Sequence, residues 1–296
     1  MSVPSHHRVV EAPAFDTPPL PPGMLKGQVA LVTGGGSGMG LGMATALAQA
    51  GAAIAILGRT AETADKGAAS IRALGGTVEP FVGDVRKPED VAAAFDAAER
   101  ALGPITVLAN NAGANYPVLA EQMSPGQWRS VTRIAIDGTF LCSTEFARRR
   151  IAAGAAGRDG RGVIVNNSAQ YIWSGFPGDA HSAAAKAAIA TMTTAHAADW
   201  KAHGIRVNCV AAGFFPHERS STSEELKDRT GLMFPIGRVG RTREFGWISA
   251  FLCSPLAGGI TGETLMIDGG DSLRRQLMNP AFVPPRDRES IWGVVP

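Results

Sequence analysis

From Gln28 onward, short apolar runs alternate with longer, alanine-rich amphipathic segments. The runs are VALVTG, AAIAIL, TVEPFV, ITVLAN, GVIVNN, IRVNCV and TLMID. They are rich in β-branched residues and lack period-two alternation, as expected of strands buried on both faces. The segments between them read as helices, so the rhythm predicts an α/β fold, a doubly wound parallel sheet of seven strands with helices on both sides. Gly75-Gly76 can end a helix over residues 62–74, and Pro88 suits the first turn of the next. Ser124-Pro125 can start a long helix that reaches residue 150. Two stretches break the rhythm: residues 154–162, rich in glycine and arginine, and the polar residues 213–235 after the sixth strand. Ligands of such sheets lie beyond the carboxyl ends of the strands, so the second stretch reads either as a mobile lid or as a solvated surface loop.

With 296 residues, the chain accommodates one such domain over residues 25–272, with a proline-rich tail over 1–24 and an extension over 273–296. The net charge of +2, from 28 basic and 26 acidic residues, gives no basic excess suited to nucleic acid. The apolar stretches fall well short of the roughly 20 residues that span a bilayer. A soluble protein is therefore expected. Cys142, Cys209 and Cys253 lie far apart, which points to buried thiols in a reducing compartment such as the cytoplasm. His181, His196, His203 and His217 lack metal-ligand spacing, so no metal is expected. The N-terminal prolines argue against a secretory signal.

Candidate chemistry begins after the first strand. Thr33, Gly34, Gly36, Ser37, Gly38, Met39 and Gly40 form a glycine-rich turn leading into a helix over residues 41–50. Glycines there let backbone N–H groups approach a pyrophosphate at a helix N-terminus, the Rossmann dinucleotide site. The second strand ends Leu57-Gly58-Arg59, where a carboxylate would bind the hydroxyls of an adenosine ribose and repel a 2′-phosphate. Arg59 offers a planar fork for that phosphate, so NADP(H) is the expected cofactor. Asp84 and Val85, after the third strand, are placed at the adenine edge, although Asp84 could instead cap the next helix. Gly213 and Phe215, after the sixth strand, are placed on the cofactor as well.

The series Thr33-Gly34 through Gly40, Asn110-Asn111-Ala112-Gly113, Lys186, Arg206-Val207-Asn208 and Asp268-Gly269-Gly270 resembles the short-chain dehydrogenase/reductase family from about Leu25 to Gly270. The resemblance implies strand order 3-2-1-4-5-6-7 and a homo-oligomer, a tetramer or dimer. It also implies that Asn111, Ala112 and Gly113 line the cofactor and that Lys186 holds the nicotinamide ribose. One departure matters. The family's usual tyrosine, four residues before the lysine, is Ser182 here, and its usual serine is Ala169. A serine hydroxyl is too weak an acid to take the place of that phenol.

Tyr171, Ser182 and Lys186 instead resemble the spacing of the 2,4-dienoyl-CoA reductases and their enoyl-CoA reductase relatives, in which the working tyrosine precedes the lysine by fifteen residues. Asn115, soon after the Asn-Asn-Ala segment, is similar to that branch too. The resemblance implies NADPH-dependent reduction of a 2,4-dienoyl-CoA or 2-enoyl-CoA thioester, and hence fatty acid metabolism. Tyr171 and Asn115 would face the thioester oxygen, Ser182 would stand beside them, and Lys186 would lower the phenol's pKa. Arg148, Arg149, Arg150, Arg158 and Arg161 are compositional candidates for the phosphates of CoA, or a solvated helix end. Three alternatives stay open: Tyr171 packing beside Trp173, a carbonyl reductase or alcohol dehydrogenase, and an inactive NADP-binding scaffold.

Overall fold

The computed structural model describes residues 20–216 and 235–273. In them β1 (Val29–Thr33), β2 (Ala53–Gly58), β3 (Val78–Val82), β4 (Val107–Asn110), β5 (Gly162–Ala169), β6 (Ile205–Ala212) and β7 (Thr264–Ile267) form one parallel sheet. Its order is 3-2-1-4-5-6-7, as the resemblance implies. Register runs from Val29 opposite Ala53 to Thr33 opposite Leu57, so β1 and β2 end level at the carboxyl edge.

Two apolar layers explain why the strand runs lack alternation. Ala30, Val32, Ile54 and Ile56 face a layer with α1 (Gly38–Gln49), α2 (Ala61–Ala73) and a C-terminal helix over Thr242–Cys253. Val29, Leu31, Ala55 and Leu57 face the opposite layer, with α3 (Pro88–Leu102) and a helix over Gly138–Ala155. Successive strand residues point to opposite faces, and here both faces are core. Leu20 and Leu25, before β1, also join the first layer.

The segment expected as one helix to residue 150 is three pieces: α4 (Pro125–Thr132), a π-helical turn (Arg133–Asp137) and α5 (Gly138–Ala155). Ser124 and Gln127 close a reciprocal cap at the start of α4. Where the π turn passes into α5, a Cβ on Gly138 would lie 2.6 Å from Val85 Cγ2, so the helix approaches the loop after β3 closely. Helix α6 (Ala180–Trp200) follows β5, and the Thr242–Cys253 helix, hereafter α7, precedes β7. The first helix begins at Gly38 rather than residue 41, so Gly38, Met39 and Gly40 form its first turn.

Residues 156–161 turn from α5 into β5 at the edge opposite the strand carboxyl ends. Arg150 is buried there and donates to the carbonyls of Asp159 and Arg161. Of the 213–235 stretch expected as lid or loop, residues 217–234 lie outside the described residues, as does His217; so do 1–19 and 274–296. Among the described residues no helix is long and apolar enough to cross a membrane. Cys142, Cys209 and Cys253 are free and buried.

Candidate active site

The end of β1 is tied to the end of β4 through one hydroxyl. Thr33 Oγ1 accepts from the N–H groups of Asn111 and Ala112, both at 3.0 Å. Asn111 Nδ2 donates to the carbonyl of Thr33 at 3.2 Å, and its Oδ1 accepts from Asn167 Nδ2 at 2.9 Å. The glycine turn is thus pinned to the Asn110–Gly113 segment before any ligand arrives. Gly34, at φ +66, adopts a conformation that side chains rarely take. A Cβ on Gly40 would collide with the Gly34 carbonyl and Asn111 Nδ2, while one on Gly36 would lie 2.5 Å from the Thr63 carbonyl.

Ser37 is the N-cap of α1, and its side chain makes no capping bond. The first-turn N–H groups of Gly38, Met39 and Gly40 therefore point out of the helix end without intrahelical partners. That arrangement suits an anion such as a pyrophosphate, and it fits a dinucleotide. Beside it, Arg59 is exposed and makes no hydrogen bond or salt bridge among the described residues. Asp84 does not cap α3, whose N-cap is Lys87. Its carboxylate instead accepts from the Arg86 guanidinium and the Arg86 N–H, and Arg86 holds the Asp84 pKa down at about 2. Arg59 adds its field to that effect, so the two expected adenosine-end residues lie near each other.

The proton-carrying groups converge at the carboxyl end of β5. A 3-10 turn over Gln170–Ile172 follows the strand and carries Tyr171 toward α6. Its hydroxyl lies 2.9 Å from Ser182 Oγ, and its ring packs against Phe176 at 6.0 Å. Trp173 is exposed, so Tyr171 is not simply packed beside it. One helical turn past Ser182, Lys186 Nζ donates to the Asn167 carbonyl at 2.8 Å. The chain Thr33, Asn111, Asn167, Lys186 thereby links the cofactor loop to the lysine.

Burial lowers the Lys186 ammonium to about 8, with Ala135, Ala185, Ile189 and Cys209 forming the apolar cluster along this part of α6. Lys186 does not lower the phenol's pKa as expected. Burial raises it, the Ser182 hydrogen bond opposes the rise, and the charge of Asp179 adds to it. Asn115 is exposed on the loop after β4, and its Nδ2 donates to Asp179 Oδ2 at 3.1 Å.

Two further expected cofactor residues, Gly213 and Phe215, pack closely after β6. A Cβ on Gly213 would lie 2.6 Å from the Asp268 Cα. The Phe215 ring packs edge-on against Phe245 at 6.2 Å and lines a cavity of ≈ 330 Å³ with Phe214, Ile236 and Trp247. Of the five candidate arginines, Arg149, Arg150 and Arg161 are engaged within the fold, while Arg148 and Arg158 are exposed. Arg149 reaches Asp96, Glu99 and Glu145, and these contacts raise its pKa against the opposing effect of burial. Arg161 pairs with Asp159.

Residues missed from the sequence are Asn167, which receives Lys186, and Asp179 and His181 at the start of α6. An aspartate just before an alanine-rich helix is a readable N-cap signal, but its contact with Asn115 spans 64 residues. His181, singled out in the sequence only as lacking metal-ligand spacing, is fully buried, and its Nδ1 accepts the Ser182 N–H at 2.8 Å. Among the described residues no group of three potential metal ligands occurs.

A doubly wound sheet with an anion-ready first helix, and a phenol and a half-buried lysine at the same edge, defines a nucleotide-dependent oxidoreductase. The family described as enoyl-(acyl carrier protein) reductase matches residues 34–272. A peroxisomal 2,4-dienoyl-CoA reductase of Arabidopsis thaliana is 34% identical, covering 85% of this chain and 87% of that one. Gluconate 5-dehydrogenase of Gluconobacter oxydans is 34% identical over 83% of this chain and 95% of its own. A crystal structure of a short-chain dehydrogenase from Bacillus anthracis superposes with TM-score 0.77 at 37% identity, covering 86% of this chain and all of that one. The chain belongs to the short-chain dehydrogenase/reductase family, whose members are oxidoreductases that use NAD or NADP.

Proposed function

We propose that the protein is an NADPH-dependent reductase of a conjugated acyl thioester, a 2,4-dienoyl-CoA or 2-enoyl-CoA. The carrying observation is the 2.9 Å contact between the Tyr171 hydroxyl and Ser182 Oγ, one helical turn before Lys186. A phenol delivered from the turn after β5 thus meets the residue that occupies the sequence position of the family's usual tyrosine. The identity to the Arabidopsis dienoyl-CoA reductase supports the same substrate class.

The glycine turn and the first turn of α1 would hold the pyrophosphate of the cofactor, Arg59 would select its 2′-phosphate and Lys186 would hold its ribose, and the bound nicotinamide would supply a hydride. Hydride addition at the alkene carbon sends negative charge to the thioester oxygen, so donors must face that oxygen, and a proton from Tyr171 or water then completes the reduction at carbon. Tyr171 and Asn115 supply those donors, with Ser182 fixing the phenol's rotation. The Asn167 carbonyl and the apolar cluster of α6 hold Lys186 in place. Exposed Trp128 on α4 and Phe140 on α5 support a homo-oligomer, a dimer or tetramer.

Two assays test the reading. Purified protein should oxidise NADPH on addition of a 2,4-dienoyl-CoA, and Tyr171→Phe should lose roughly a hundredfold or more in kcat. Turnover of ketones or secondary alcohols with no unsaturated thioester accepted would point to the carbonyl chemistry of relatives such as gluconate 5-dehydrogenase. Tight NADPH binding with no turnover of either class would mark an inactive scaffold.

A further inference from the structure

Asp179 stands where an aspartate ordinarily caps a helix, immediately before α6, yet its side chain makes no capping hydrogen bond. It is 6% exposed and reaches across to the loop after β4, accepting from Asn115 Nδ2. The backbone closes the same gap: the Val118 N–H donates to the Gly178 carbonyl at 2.8 Å, and the Asp179 N–H donates to Phe176 at 3.0 Å. Two loops that flank the candidate substrate site are thus held together at the root of Asn115. His181 backs the contact, fully buried and edge-on to Tyr116 at 5.3 Å. Asp179 Oδ1 and His181 Nε2 are buried without a hydrogen-bond partner among the described residues.

A primary amide can turn either its carbonyl or its NH₂ group toward a neighbour, but an ionised carboxylate only accepts. We propose that Asp179 is a positioning residue that fixes the Asn115 amide one way round, leaving the second N–H of Nδ2 to donate to the substrate oxygen. This rests on the thioester reading for the identity of that oxygen, while the orientation of the amide does not. The apposed carboxylate also polarises the amide, strengthening its remaining N–H as a donor. Without it, Asn115 is an exposed loop side chain free to present either edge, and the oxygen meets a donor in only part of the population.

The test is a double-mutant cycle on the full-length protein with Asp179→Ala, Asn115→Ala and the pair. Asp179→Asn serves as a second variant that keeps the volume but can pair with Asn115 through either amide edge. The readouts are kcat and KM with the best substrate from a panel of dienoyl-CoA, enoyl-CoA and ketones, NADPH affinity by fluorescence, and the unfolding midpoint. Asp179→Ala and Asp179→Asn should each lower kcat, roughly tenfold for the alanine, with KM within about twofold and NADPH affinity unchanged. The double mutant should be no slower than Asn115→Ala, because Asp179 acts through that amide. Independent, multiplying losses, or an Asp179→Ala enzyme with wild-type kcat, would overturn the proposal. If the wild type accepts only ketones, the thioester reading fails and the same cycle on the ketone decides the positioning role. If nothing is turned over, the cycle on the unfolding midpoint decides: additive shifts overturn the Asp179–Asn115 clamp, and non-additive shifts support it.

Discussion

At the scale of single residues, Lys186 shows how one burial sets two opposite pH responses. Its ammonium is held at about 8 in the fold against 10.5 in the open chain. Between those values the unfolded chain binds more protons than the fold, so this group makes stability rise with pH across that window. Activity should run the other way, because the ammonium is lost as pH passes through about 8. The expected kcat/KM profile of the NADPH-loaded enzyme falls on its alkaline side near that value. Lys186→Met should be slow at every pH tested and lack that limb, and an unchanged limb in the variant would assign it to another group. Arg59 offers a separate test, since it is exposed and, among the described residues, unpaired beside the Asp84–Arg86 couple. Arg59→Ala should raise the Kd for NADPH roughly tenfold or more while moving the Kd for NADH about twofold or less. Equal losses for the two cofactors would mean that Arg59 does not read the 2′-phosphate.

At the scale of elements, the strands could be read from the chain because both faces of each strand are core, which leaves continuous β-branched runs, while their order came from the family resemblance. The Tyr171–Ser182–Lys186 spacing was readable through its resemblance to the dienoyl-CoA reductases, and β5, the turn after it and α6 are consecutive, so the contact itself is local. Contacts between distant segments left no such trace. The π turn at Arg133–Asp137 leads into Gly138, whose close neighbour Val85 lies far back in the sequence, and a periodicity reading saw one helix. Asp179 meeting Asn115 was hidden in the same way. So was the packing of α1 on α7, where a Cβ on Gly246 would collide with the carbonyl of Gly42. Gly246→Ala should therefore force those helices apart, costing about 1–3 kcal/mol, and lower the unfolding midpoint by several degrees. A midpoint within a degree of wild type would show that the two helices separate without penalty. Because α1 begins at the phosphate turn, the same variant should also weaken NADPH binding.

At the scale of the whole molecule, chemistry and charge divide between the two edges of the sheet. The glycine turn, Arg59, Asp84, Asn115, Tyr171 and Lys186 all follow strand carboxyl ends or lie on helix starts at that edge. Arg150, Arg158 and Arg161 sit at the end of α5 or in the turn leading into β5, at the other edge, and Arg149 ties α5 to α3 through Asp96 and Glu99. A thioester whose acyl end lies at Tyr171 therefore has those arginines at the sheet edge away from its reacting end. Within one chain, large apolar side chains remain on the surface near the site-forming helices: Trp128 is 41% and Phe140 48% exposed. Isolated exposed apolar residues are common, but two aromatics on the α4–α5 unit are what an interface between copies would cover. Sedimentation at micromolar concentration should accordingly give a species heavier than one chain. Phe140→Asp, which places a charge in that interface without touching the core, should shift the mass downward while a single chain keeps its far-ultraviolet spectrum. If the mass does not move, α5 is not the face through which copies associate; if the wild type is already a monomer, the assembly inferred from these two aromatics is wrong.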